Sequence, residues 1–140
     1  MTDSLETVFE QGLKRYKQGE SPETLIPHFK DICDRAPKNS TAWTCLAWLY
    51  LLIDKPESAL KAANKSIKIN DRPPQARINL ALAMLDIGAK GVRDHIEAAE
   101  RMMSLDDGIR QDIKENIEDG LARKPDWKNL QRVKQWLFPI

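Results

Sequence analysis

Two cysteines, two histidines and a few acidic clusters are the residues of this 140-residue chain whose chemistry could go beyond packing. Cys33 and Cys45 stand twelve positions apart, a spacing that fits neither a redox Cys-x-x-Cys pair nor a set of zinc ligands. They read as small buried thiols. His95 reads as a packed residue between helices, and His28 as a solvent-facing helix position. Asp106-Asp107-Gly108 looks like part of a calcium loop, but it lacks the alternate acidic ligands and the closing Glu. It is better read as a turn. The pairs Glu97/Glu100 and Glu115/Glu118 have i, i+3 spacing, the mark of exposed helix charge. The sequence contains no Gly-rich phosphate loop, His-Glu-x-x-His or serine nucleophile elbow. It therefore reads as a non-enzyme that needs no cofactor or metal.

Charge narrows the partners. Lys plus Arg number 22 and Asp plus Glu 21, a net charge of +1, and no quarter of the chain carries the basic excess of a nucleic-acid module. Hydrophobic residues at 41% and charged residues at 31% describe a chain that folds, and one of this length can bury a single sizeable core. No run approaches the roughly 18 apolar residues of a membrane span. The opening from Met1 to Glu6 lacks the basic and apolar regions of a secretory signal, so a cytoplasmic location is expected.

The elements that position these residues follow a period of 34. Phe9, Trp43 and Arg77 keep this step, as do Leu13, Ala47 and Ala81, and Tyr16, Tyr50 and Met84. Leu25 and Ala59, Phe29 and Ala63, Ile32 and Ser66, and Pro37 and Asp71 keep it too. His95, Ala99, Met102 and Asp107 then follow by 36, so two residues are inserted, most simply in the turn from Gly88 to Gly91. Trp43, Leu46, Ala47 and Tyr50 form a helical stripe, as do Ala59, Leu60, Ala63 and Ile67. Ser21-Pro22 is a helix start, and Pro37, Pro56, Pro73 and Pro74 mark changes of direction. The spacing predicts eight helices, near 4–18, 22–36, 40–53, 56–69, 74–87, 91–104, 108–122 and 126–138, and no strands.

These positions resemble the tetratricopeptide repeat (TPR) family, a 34-residue helical hairpin repeated in tandem. The central unit carries the resemblance best, through Trp43, Leu46, Ala47, Tyr50 and Ala59. Phe9, Tyr16, Phe29, Ile32 and Pro37 carry it in the first unit, and Leu80, Ala81, Ala99 and Leu105 in the third. Arg77 departs from it, standing where the family has an aromatic. The resemblance implies an all-α solenoid of one domain over 1–140, with hairpins at about 6–39, 40–73 and 74–107. A degenerate capping hairpin follows over 108–138, with Asn116 and Gly120 at positions that should be apolar. Trp43 and Tyr50 are expected to be buried within the central hairpin.

The resemblance also implies a concave groove, lined by the first helix of each hairpin, that binds a peptide or an amphipathic helix of another protein. Residues off the packing stripe should line it: Lys14 and Lys17, then Thr44, Trp48, Leu51 and Leu52, then Ile78, Leu82, Leu85 and Asp86. The places where some members grip a C-terminal carboxylate hold Glu10, Lys14, Cys45, Gln75 and Asn79, so that clamp is not expected. A ridge of Lys61, Lys65, Lys68 and Arg72 reads as a solvated face, or else as a contact for an acidic partner or an anionic membrane. In the last helix, Asp126 should cap, and Trp127, Leu130 and Leu137 should seal the core. Trp136 and Phe138, with Ile140 beyond, should remain available to a partner or a second copy. Adaptor, scaffold or complex-assembly factor is the expected role; a homodimer consuming the groove is the alternative, with RNA binding less favoured.

Overall fold

Caps and prolines divide the chain into helices close to the expected places. The computed structural model describes residues 4–139, so the readings resting on Met1 and Ile140 lie outside the described residues. α1 (Leu5–Lys17) begins at Ser4, whose hydroxyl accepts the Thr7 N–H. α2 (Pro22–Arg35), α4 (Pro56–Ile69) and α5 (Pro74–Ile87) open on proline, where an N–H would have no partner inside the helix. Asn39 caps α3 (Ser40–Leu52), and Asp106 caps α7 (Asp107–Arg123) by accepting from the N–H groups of Gly108 and Ile109. The acidic cluster is thus a helix start. α6 (Val92–Met103) and α8 (Lys128–Leu137) complete the set. Asp126 does not cap α8: Trp127 takes the N-cap position and no side chain bonds there. The lengthened turn runs from Gly88 to Gly91, both with positive φ (72° and 96°), which glycine adopts without steric cost.

α1/α2, α3/α4 and α5/α6 are three hairpins that stack in chain order. One apolar cluster joins the first two: Leu25, Phe29 and Ile32 of α2 meet Ala42, Leu46 and Leu49 of α3. Each fully buried Leu, Ile or Phe contributes about 1.5–3 kcal/mol. The second cluster lies on the inner side of α3 and α5 and is completed by α7 and α8. The last hairpin does not simply extend the stack. α7 crosses the concave side, where Asn116 bonds α5 and Asp119 bonds α1, and Lys124 just past its end bonds α3, while α8 packs on α5 and α6.

Three local expectations are corrected. Trp43 is half-buried, as is Tyr50, because α4 faces the Trp43 cleft with Ser58, Lys61, Ala62 and Lys65 and no large apolar side chain. The Trp43 indole N–H donates to the Pro37 carbonyl at 3.0 Å. His28 is not solvent-facing: its Nε2 donates to the Val8 carbonyl at 2.7 Å and its Nδ1 accepts from Arg15 at 3.0 Å. Cys33 is buried but Cys45 is only half so. His95 is half-buried between helices, with its Nδ1 accepting from Arg77 at 3.0 Å, and burial lowers its pKa. Among the described residues no helix is long and apolar enough to cross a membrane.

Candidate functional site

The apolar part of the expected groove is not open. Leu51, Ile78 and Leu82 are fully buried, and Leu52 and Trp48 nearly so, all in the cluster that α7 and α8 complete. Leu85 is half-buried against that cluster, and Asp86 accepts from Asn129 of α8 at 2.6 Å. α3 and α5 are apolar on almost every face, and such helices need cover on both sides. The covering amphipathic helices belong to the chain itself.

Trp48 is the centre of this closure. Its indole lies 5.5 Å from that of Trp127, centroid to centroid, and donates to the Tyr16 hydroxyl at 2.9 Å. Tyr16 in turn donates to Asp119 of α7. Burial, then this donation to a carboxylate, pushes the Tyr16 phenol well above its ordinary pKa. Arg123 lies over the Tyr16 ring at 3.8 Å, bonds Asp119 at 3.0 Å and donates to the Tyr16 carbonyl at 2.8 Å. Lys124 reaches the Leu51 carbonyl at 3.1 Å, sharing it with the Asp54 N–H in the turn that ends α3, and pairs with the Asp54 carboxylate at 2.7 Å. The bonds fasten α7 to two inner helices at once.

What stays open is the polar end. Between α1, α3, α5 and α7 lies a cleft of about 380 Å³, with Leu13, Phe29, Trp48 and Leu49 at its base and Lys17, Glu115, Asn116 and Asp119 at its mouth. Cys45 lines it too; desolvation pushes that thiol up to about 12, so it stays protonated at neutral pH. The far wall is a hydrogen-bonded chain: Asn116 donates to Gln75 (3.1 Å), Gln75 to the buried Asn79 (2.8 Å), and Asn79 to the Thr44 carbonyl (3.0 Å). The Thr44 hydroxyl is engaged internally, 2.6 Å from that of Ser66. Of the expected groove residues, Lys14 and Lys17 are exposed and Lys17 borders the cleft.

The α7 wall was not legible as part of a site. Its only signal was the pair Asn116 and Gly120 at otherwise apolar positions. Elsewhere, Lys61, Lys65 and Lys68 are exposed on α4, as expected of a ridge, whereas Arg72 is exposed beyond the end of that helix, where the chain is extended. Trp136 is 41% exposed, whereas Phe138 is half-buried under Arg110 at 4.8 Å.

This is the fold of a TPR-type solenoid, all-α and built of helical hairpins, with an inturned C-terminal hairpin. Solved structures share it. PcrH in complex with the chaperone binding region of PopD superposes with a TM-score of 0.69 at 17% identity, over 86% of this chain and 92% of that one. The Yersinia enterocolitica type III secretion translocator chaperone SycD, in an alternative dimer, gives 0.68 at 14% identity, over 97% and 96%. The first TPR of Spaghetti (RPAP3), bound to the HSP90 peptide SRMEEVD, gives 0.56 at 20%, over 95% and 92%. No family model and no curated protein matches the sequence.

Proposed function

We propose that the chain is a non-catalytic protein-interaction module that holds an extended segment of another protein in the cleft between α1 and α7. The observation that carries this reading is the cleft itself, a recess with an apolar base and a polar mouth. Such recesses hold a ligand by one buried apolar anchor and a few oriented polar contacts. Its volume of about 380 Å³ suits one or two side chains of a peptide rather than a whole helix. Lys17 on one lip and Glu115 and Asp119 on the other offer both charge signs, so the favoured segment carries an apolar residue flanked by polar ones. Two neighbours in fold, PcrH and the Spaghetti TPR, hold segments of PopD and HSP90, which supports a peptide ligand here. Such a module serves as adaptor, scaffold or assembly factor.

The test is a selection of displayed peptides on the intact chain, followed by titration calorimetry of the selected peptide. Cys45→Met, which narrows the base, and Lys17→Glu, which reverses one lip, should each weaken binding several-fold with an unchanged melting temperature. A selected peptide that ignores both variants would place its site elsewhere. The exposed Trp136 favours a second reading, self-association through the C-terminal helix, which sedimentation of Trp136→Gln would check.

A further inference from the structure

A second recess lies on the outer side of the array, between α2 and α4 with α3 as its floor. Trp43 and Tyr50 are half-buried in it, facing Ser58, Lys61, Ala62 and Lys65 of α4, none of which brings a large apolar side chain to that wall. Three cations, Lys30, Lys61 and Lys65, rim it against a single carboxylate, Asp34. None of the three lysines joins an ion pair among the described residues. Lys65 leans over the Trp43 ring at 6.0 Å, Lys68 carries the positive ridge on along α4, and Arg72 follows in the connection to α5. From Lys61 to Lys68 the ridge runs about 10 Å along α4, about two turns of helix.

We propose that this outer cleft docks an acidic segment of a partner protein, seating one large apolar side chain on Trp43 and pairing carboxylates with Lys61 and Lys65. Three of the four charges around the recess are positive, so the complementary surface is acidic. The half-buried indole supplies a flat apolar contact of the kind that anchors protein interfaces. A membrane is the poorer fit, because a planar surface meets the ridge but not the recessed ring. Nucleic acid is poorer too: the net charge is only +1, and the few lysines here are not the broad basic face that a polyanion needs. The site is separate from the concave cleft and stands without it.

The experiment is fluorescence anisotropy with a labelled peptide of about twelve residues, rich in Glu and carrying one central Phe, added to the intact chain. Binding should be saturable and salt-sensitive, and should be lost when the Phe is replaced by Ala. Lys61→Glu/Lys65→Glu should weaken it about tenfold or more, since reversal removes attractions and adds repulsions. Trp43→Leu, which keeps an apolar side chain on the stripe, should weaken it several-fold with the helical circular dichroism unchanged. Cys45→Met and Lys17→Glu should leave it intact, which separates this site from the concave one. Affinity no better than for a Gln-substituted peptide, or indifference to the double reversal, would overturn the proposal. So would lysine-dependent binding of phosphatidylserine vesicles or of single-stranded RNA that the acidic peptide cannot displace.

Discussion

A Cβ placed on Gly120 would lie 2.8 Å from Trp48 Cζ2, and equally close to Leu130 Cδ2. The glycine is therefore where α7 comes down onto the indole, and its missing side chain is what lets the C-terminal hairpin close. Gly120→Ala gains up to about 1 kcal/mol of helix propensity but meets an overpacking cost of about 1–3 kcal/mol. The melting temperature should fall, and fall further for Gly120→Val. A rise for the alanine variant would mean that α7 can shift at no cost.

Trp48, not Trp43, should be the costlier tryptophan to lose. Trp48→Ala opens a cavity under two helices and should cost about 3–5 kcal/mol in denaturant titrations. Trp43→Ala should cost clearly less, because the ring is half-exposed in the native state. Equal losses would contradict the closed hairpin.

Tyr16→Phe deletes the hydroxyl that joins Trp48 to Asp119 and should cost about 1–3 kcal/mol at neutral pH. Its phenol has a raised pKa when folded, so the stability it contributes is complete below the unfolded value of 10.0. That contribution shrinks as pH climbs above this value and vanishes once the folded phenol ionises. Urea titrations from about pH 8 to about pH 11 should show a shallower alkaline decline for Tyr16→Phe than for the parent. Both proteins carry the same cysteines, so the difference isolates the tyrosine.

On the acid side, hydrogen bonds from Arg15 and then Thr24 hold the Glu20 carboxyl at about 2, against an ordinary 4.5. A depressed folded pKa contributes stability that is present above the ordinary value and is lost as pH falls through about 2. Carbon-detected NMR should find Glu20 titrating far below its neighbours, and Arg15→Ala should return it toward the ordinary range.

Removal of residues 125–140 takes away Trp127, Leu130, Val133 and Leu137, all buried. The truncated chain should lose stability and aggregate, as light scattering on mild heating would show. Trp136→Gln should stay within about 0.5 kcal/mol of the parent, since the ring is exposed. A truncated chain as stable and monomeric as the parent would make the hairpin an accessory.

The hairpins were readable because their causes are local. A 34-residue step, a proline at a first helical position and an Asn or Asp at a cap each act within a turn or two of their own residue. The helix bounds therefore fell close to the expected ones, including the two-residue insertion between Gly88 and Gly91. Trp127, Leu130 and Leu137 were readable as a sealing stripe for the same reason, being a helical period on one face.

What covers the inner helices was not local. Trp48, Leu51, Ile78 and Leu82 have the same one-dimensional pattern whether a partner or the chain itself lies on them. The choice rests on contacts such as Trp48 with Gly120 and Tyr16 with Asp119, between residues far apart in sequence whose approach depends on the direction α7 takes after its turn. Small rotations decided exposure in the same way: Trp43 is partly in solvent because α4 turns Ser58, Ala62 and two lysines toward it, and no large apolar side chain. Period and capping chemistry determined which segments are helices and how they pair. Only the docking of α7 across the concave face decided which residues are core and which remain for a partner, because burial depends on neighbours that the local pattern cannot name.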